Sequence, residues 1–452
     1  MPTRLVGGAV AAILLSPAAL AAPSEREALR EELDALKERV QELEKRLAET
    51  ETEAERAGER AAAAAPDIQV GGALRFQLQR RGGDPNDRAT AGEIDIDTFR
   101  LNFDGEIKDI VFSAEYRFYP TFDNAHFIHH GWLGYDFAEH WQGRLGIMQV
   151  PFGIQPYASH NFFFSSNYYV GLEDDYDTGV NFLYRRGPHD LQLAFFKNDE
   201  YAGGGGFKRY SYDPLNMIYR GTVAGEAVTD KVAIEEANTL NLRYAYTLGQ
   251  GTTAASEIGV SAQAGQIYNG LTQDTDGHHW AGALHLNGDY GPWNLMLQLA
   301  RYEIEADLPG DRAFTDDMGN TGTIRLDEDI VGTGAYAFEY TMPAEAWTYL
   351  FNVAYTQKVA IGPISELTYY NDFTYVDKDD PRLEATVQNV SGMSILAGAF
   401  FTYVDFVLGK NQPFTNSYVN SGGFGGAQMT DLGSASADDW NTRFNINVGY
   451  YF

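Results

Sequence analysis

From Asp67 to Phe452, apolar and polar residues alternate with a period of two, in segments about ten residues long. The last segment is the clearest. Phe444, Ile446, Val448, Tyr450 and Phe452 occupy every second position, with Arg443, Asn445, Asn447, Gly449 and Tyr451 between them. Successive side chains of a strand point to opposite faces, so this strand has one apolar face and one mostly polar face. Such a strand would fray at the end of a water-soluble chain. It suits the closing strand of a membrane barrel, with lipid on one side and water on the other.

Earlier segments repeat the pattern. Val70, Leu74, Phe76 and Leu78 oppose Arg75, Gln77 and Gln79. Phe112, Ala114, Tyr116 and Phe118 oppose Ser113, Glu115 and Arg117. Trp347, Tyr349, Phe351, Val353 and Tyr355 oppose Asn352. In a soluble sandwich or propeller the outward residues would be polar; here one face is bulky and aromatic and the other carries charge. The expected fold is an all-β transmembrane barrel of sixteen antiparallel strands, starting near residues 68, 94, 111, 126, 141, 177, 190, 238, 254, 278, 293, 334, 347, 364, 393 and 441. Connections alternate between short turns, such as Gly187-Pro188 and Gly291-Pro292, and long loops at 80–93, 150–176, 198–237, 305–333 and 409–438. Two connections break the alternation, 357–363 and 376–392, so fourteen or eighteen strands stay open. Short turns belong on the periplasmic side of such a barrel, which places both termini there.

Composition narrows the alternatives. Past the N-terminus no stretch approaches the roughly 20 apolar residues of a membrane helix. There is no cysteine, hence no disulfide, thiol nucleophile or Cys-zinc site. A net charge of −30 argues against nucleic acid as a partner. Residues 1–22 read as a secretory signal: Arg4, an apolar run Leu5–Leu15, and Ala19-Leu20-Ala21 as the cleavage site. In residues 23–65, Leu29, Leu33, Leu36, Val40, Leu43 and Leu47 are spaced alternately four and three apart. That is a heptad seam, too narrow for a globular core, and it predicts a periplasmic coiled coil and linker ahead of a barrel over 66–452. A single solvated helix is the alternative.

Phe99-Arg-Leu-Asn-Phe-Asp-Gly, Phe112-Ser-Ala-Glu-Tyr, Gly131-Trp-Leu-Gly-Tyr and, most specifically, Gly143-Arg-Leu-Gly-Ile-Met-Gln-Val-Pro-Phe-Gly153 resemble the phosphate-selective porin O and P family of Gram-negative outer membranes. The resemblance implies a sixteen-stranded trimeric barrel whose third long loop folds into the lumen as a constriction. The Arg and Lys ladder of phosphate-taking members has no matching lysine cluster here.

Strand parity supplies candidate site residues. Arg75, Arg100, Arg117, Arg144 and Arg443 fall on inward faces of strands one, two, three, five and sixteen, which closure would join into one wall; Arg243 lies farther round. Arginine ladders favour anions in pores. The competing expectation pairs them with Asp95, Asp97, Asp104, Glu106 and Glu115, of the same parity. The third long loop carries Tyr157, Phe162, Phe163, Phe164, Tyr168 and Tyr169, which must pack in the barrel mouth or against another subunit. An aromatic eyelet touching solute is the sharper possibility. His129 and His130, beside His126, are expected on opposite faces of their strand, which disfavours a shared metal. Glu173-Asp-Asp-Tyr-Asp177 and Asp274-Thr-Asp-Gly are expected to be solvated acid rather than calcium loops.

The function expected is passive diffusion of small hydrophilic solutes, anions such as phosphate or carboxylates, through a homotrimer embedded in outer-membrane lipid and lipopolysaccharide. No cofactor, metal or catalytic group is called for. The alternatives are a tether or adhesin anchored through the coiled coil and, more distantly, a barrel enzyme.

Overall fold

The computed structural model describes residues 34–43, 45–47, 50, 53, 67–82, 89–201, 208–413, 415 and 440–452. The chain divides into two compact units, Met1–Ala65 and Pro66–Phe452. The described residues of the first unit are helical, and Leu36, Val40, Leu43 and Leu47 on it are exposed. The expected signal segment 1–22, with Leu29 and Leu33 of the seam, lies outside the described residues. No helix among the described residues is long and apolar enough to cross a membrane.

The second unit is built of strands: β1 (Asp67–Arg81), β2 (Glu93–Ile107), β3 (Ile110–Tyr119), β4 (Ala125–Ala138), β5 (Trp141–Gln149), β6 (Tyr176–Arg186), β7 (His189–Asp199), β8 (Asp213–Val223), β9 (Glu226–Leu248), β10 (Ala254–Asn269), β11 (Asp274–Tyr290), β12 (Trp293–Glu305), β13 (Asp311–Thr315), β14 (Thr321–Ala335), β15 (Phe338–Pro343), β16 (Glu345–Ile361), β17 (Ile364–Lys378), β18 (Thr386–Ala397), β19 (Phe400–Lys410) and β20 (Trp440–Tyr451). Sixteen of them pair antiparallel around a closed ring. β7 passes directly to β9 and β12 directly to β16. β20 closes on β1 with Ala73 opposite Tyr451 and Arg81 opposite Arg443. Gly72 and Phe452 exchange backbone hydrogen bonds of 2.9 and 3.1 Å at the seam. Closure leaves no unpaired edge, as hydrocarbon requires.

The remaining strands, β8, β13, β14 and β15, join the first half of β9 in a second sheet at the long-loop end. This corrects two strand assignments. The segment near 334 belongs to that sheet, not the barrel. The segment near 393 is two barrel strands, β18 and β19, joined at Gly398, whose φ of +63° suits glycine. The errors cancel in the count. They also explain the broken alternation: Gly362 turns at the short end and 379–385 is a loop at the long end.

Burial follows the parity and inverts the soluble pattern. Leu133, Leu145, Leu240, Leu284 and Phe351 are exposed on the outer face, whereas Gln192, Asn241, Gln298, Asn352, Asn445 and Asn447 are buried inside. Bulges break the parity locally. One in the β3–β4 pairing, with His129 as the extra residue on β4, turns His129 and His130 to the same side, with their Nδ1 atoms 2.9 Å apart. The expectation of opposite faces was therefore wrong. His126 is exposed on the outer face.

Candidate functional site

Residues 150–175 connect β5 to β6 and lie across the inside of the barrel. The turn inward is made at Pro151-Phe-Gly153. Gly153 has φ +56°, and a Cβ there would collide with the Gln298 side chain, so only glycine fits. The backbone that glycine exposes is bound directly. Gly153 N donates to Ser261 Oγ at 3.0 Å, Ile154 N donates to Gln298 Oε1 at 2.9 Å, and Arg243 Nε donates to the Gly153 carbonyl at 2.8 Å.

The loop then follows one wall. Asn352 Nδ2 donates to the Ala158 carbonyl at 2.7 Å. Asp372 accepts from the backbone N–H of His160 (2.7 Å) and of Asn161 (3.1 Å), and from Asn161 Nδ2 (2.8 Å); its other oxygen is 2.7 Å from His160 Nδ1. Ser166 Oγ donates to Gln388 Oε1 at 3.0 Å, and Gln388 Nε2 donates to the Phe164 carbonyl at 2.8 Å. Glu173 ties the loop to itself by accepting from Ala158 N, Ser159 Oγ and Ser165 N at 2.9 to 3.0 Å. Burial outweighs these bonds and pushes its carboxyl up to about 7.

The anchors come from β9, β10, β12, β16, β17 and β18. The arginines come from the other side of the ring, β1, β2, β3 and β20. Between them lies a cavity of about 560 Å³. It is lined by Arg75, Arg81, Arg100, Arg117 and Arg443, by Glu93, Asp95 and Asp97, and by Tyr157, Phe162, Phe163, Phe164, Tyr168 and Tyr169. Both expectations about the arginines have a counterpart in this geometry. Arg75 Nη2 is 2.6 Å from Asp97 Oδ2, and Arg117 is bonded to Glu115. Yet the guanidiniums also face aromatic rings. Arg75 lies over Phe162 (5.2 Å), Arg443 over Phe163 (5.0 Å) and Arg117 over Tyr210 (4.5 Å). Arg100 is 4.0 Å from Glu115.

Two predicted arginines lie outside this cavity. Arg144 stacks over Trp132 at 4.1 Å and donates from Nε to Gln142. Arg243 holds Gly153 and reaches Glu257 at 2.5 Å. Other lining residues were missed: Arg81, Tyr119, Phe122, Tyr210, Tyr212, Tyr336, Phe338, Phe401 and Tyr403. Tyr168 Oη is 2.7 Å from Tyr336 Oη, and Tyr340 donates to the Tyr169 carbonyl. The aromatic runs Tyr210-Ser-Tyr212 and Tyr336-Ala-Phe-Glu-Tyr340 were the available signal, since aromatics in long loops need a place to pack. The 173–177 acids are not solvated: Glu173, Asp174, Asp175 and Asp177 are 2–8% exposed.

No protein-family model matches the sequence, and no curated protein matches it. Among solved structures, the chain is similar to an anion-selective porin from Comamonas acidovorans, with TM-score 0.50 and 12% identity over 86% of this chain and 100% of that one. It is also similar to the outer-membrane channel DcaP of Acinetobacter baumannii (0.49, 13%, 86% and 98%) and to the trimer form of OmpT, an outer-membrane protein of Vibrio cholerae (0.46, 12%, 86% and 100%). At such identities the first likeness is one of fold: the chain folds as an outer-membrane porin barrel does.

Proposed function

We propose that the protein is an outer-membrane porin through which small hydrophilic solutes, above all anions such as phosphate or carboxylates, diffuse passively. The observation that carries this reading is the cavity between the arginine wall and the loop of residues 150–175. Arg75, Arg100, Arg117 and Arg443 supply fixed positive charge on one side, and Tyr157, Phe162, Phe163, Phe164, Tyr168 and Tyr169 narrow the passage on the other. A sixteen-stranded barrel is wide enough to hold an aqueous channel. Guanidiniums stay charged at any working pH and match carboxylate or phosphate oxygens in pairs. The Pro-Phe-Gly entry to the loop supports kinship with phosphate-selective porins. The exposed seam at Leu36, Val40, Leu43 and Leu47 supports a trimer gripped by periplasmic helices, with the apolar outer face in lipid and lipopolysaccharide.

The test is the reversal potential of the purified protein in a planar bilayer under a KCl gradient. An anion-selective value is expected. A cation-selective value would remove the arginine wall as the selectivity element.

A further inference from the structure

Behind the aromatic segment is a group of carboxylates that the channel reading leaves unexplained. Asp175 ends the 150–175 loop, Asp177 is the second residue of β6 and Asp213 begins β8. One oxygen from each lies within 4.8 Å of the other two. All three residues are buried, at 8%, 2% and 2% exposure. Asp199 and Glu200 are buried beside them. Arg209 serves several of these at once, bonding Asp199, lying 2.9 Å from Asp213 Oδ2 and 3.8 Å from Glu200 Oε2.

A second observation points to a ligand. Asp177 Oδ1 has no hydrogen-bond partner although the residue is almost wholly buried. A buried carboxylate oxygen left so is costly while it is charged, and a cation that meets it removes that cost. Asp175 and Asp213 also line a small cavity of about 20 Å³, room for one water-sized particle. Oxygens up to 4.8 Å apart suit a hard divalent cation, whose opposed ligands sit about 2.4 Å from it on either side.

We propose that Asp175, Asp177 and Asp213 form a divalent-cation site of calcium type, which fastens the end of the constriction loop to the sheet at the long-loop end of the barrel. Two ligands come from the 175–177 stretch and the third from the start of β8, so the ion would cross-link these two parts of the chain. It would also balance the charge that Arg209 leaves over.

The test compares the full-length protein with its Asp177→Asn variant, both stripped with chelator in detergent. The amide keeps the shape of the carboxylate, and Asp177 Oδ1 has no bond to lose. Calcium binding is measured by equilibrium dialysis and thermal unfolding is followed with calcium and with chelator. The expected result is one calcium per protomer whose affinity falls about ten-fold or more in the variant. Calcium then raises the unfolding temperature of the parent but not of the variant, while in chelator the variant is at least as stable. Exposed acids such as Asp276 and Asp307 bind equally in both and cancel. Equal calcium binding and equal calcium stabilisation in the two proteins would overturn the proposal.

Discussion

Arg100 is the wall arginine least committed to structure. Arg75 and Arg117 are locked in close buried pairs with Asp97 and Glu115, so removing either leaves a buried carboxylate uncompensated. Arg100 stands 4.0 Å from Glu115, with its side chain 15% exposed to the cavity. A unit charge about 4 Å from a permeating ion is worth about 1 kcal/mol in a water-like lumen. Arg100→Gln should therefore weaken anion passage and ease cation passage by about five-fold each, lowering the anion-to-cation permeability ratio by roughly 25-fold in dilute salt and less in concentrated salt; an unchanged reversal potential would exclude Arg100 from selectivity. Glu173 gives a pH dependence. Its folded carboxyl titrates near 7, above the ordinary 4.5, because burial disfavours the charged form. The stabilisation is complete below the ordinary value and is lost as pH rises through 7. Amides of residues 158–166 should exchange with solvent more readily at pH 8 than at pH 5.5, after correction for intrinsic rates, and Glu173→Gln should flatten the difference. The inward sides of Arg75, Arg100, Arg117 and Arg443 were legible because strand parity holds at those positions. His129 was not, because a bulge shifts parity by one residue and carries no reliable local signature.

The decisive element is the loop of residues 150–175. Its Pro-Phe-Gly entry and its aromatics could be read from the chain, and both mark a segment that must turn inward and pack. Its docking partners could not. Asp372, Gln388, Asn352 and Gln298 lie 144 to 222 residues away, and on their own strands they are ordinary inward polar residues. Asp372 is the central anchor, holding His160 and Asn161 together. Asp372→Ala strips several bonds to a buried carboxylate and should cost the loop about 3 kcal/mol of local stability. The expected readout is noisier and larger single-channel currents from an otherwise intact barrel. Quiet currents of parental size would show that the loop is held without it.

At the scale of the whole molecule, the count of sixteen came out right although two elements were misread. The strand near 334 has the alternation of a barrel strand, but it spends that pattern in a loop-borne sheet against β8. β19 was overlooked because Phe400-Phe-Thr-Tyr-Val-Asp-Phe-Val lies close behind another apolar run, with only Gly398 and Ala399 between the strands. Local periodicity reports strands; which strands share a ring is set by closure, a property of the entire chain. The proposed coiled coil makes a prediction about assembly. Deleting residues 23–65 should convert trimers to monomers on sizing columns while leaving the unit conductance of each barrel unchanged; a trimer that survives the deletion would favour a tethering role for the helix. The central claim is that the space between the arginine wall and the 150–175 loop conducts. Planar-bilayer recording of the purified protein tests it most directly. Discrete upward steps of uniform conductance are predicted, grouped in threes if the protein is a trimer. A membrane that stays electrically silent at protein levels where insertion is demonstrated would contradict it.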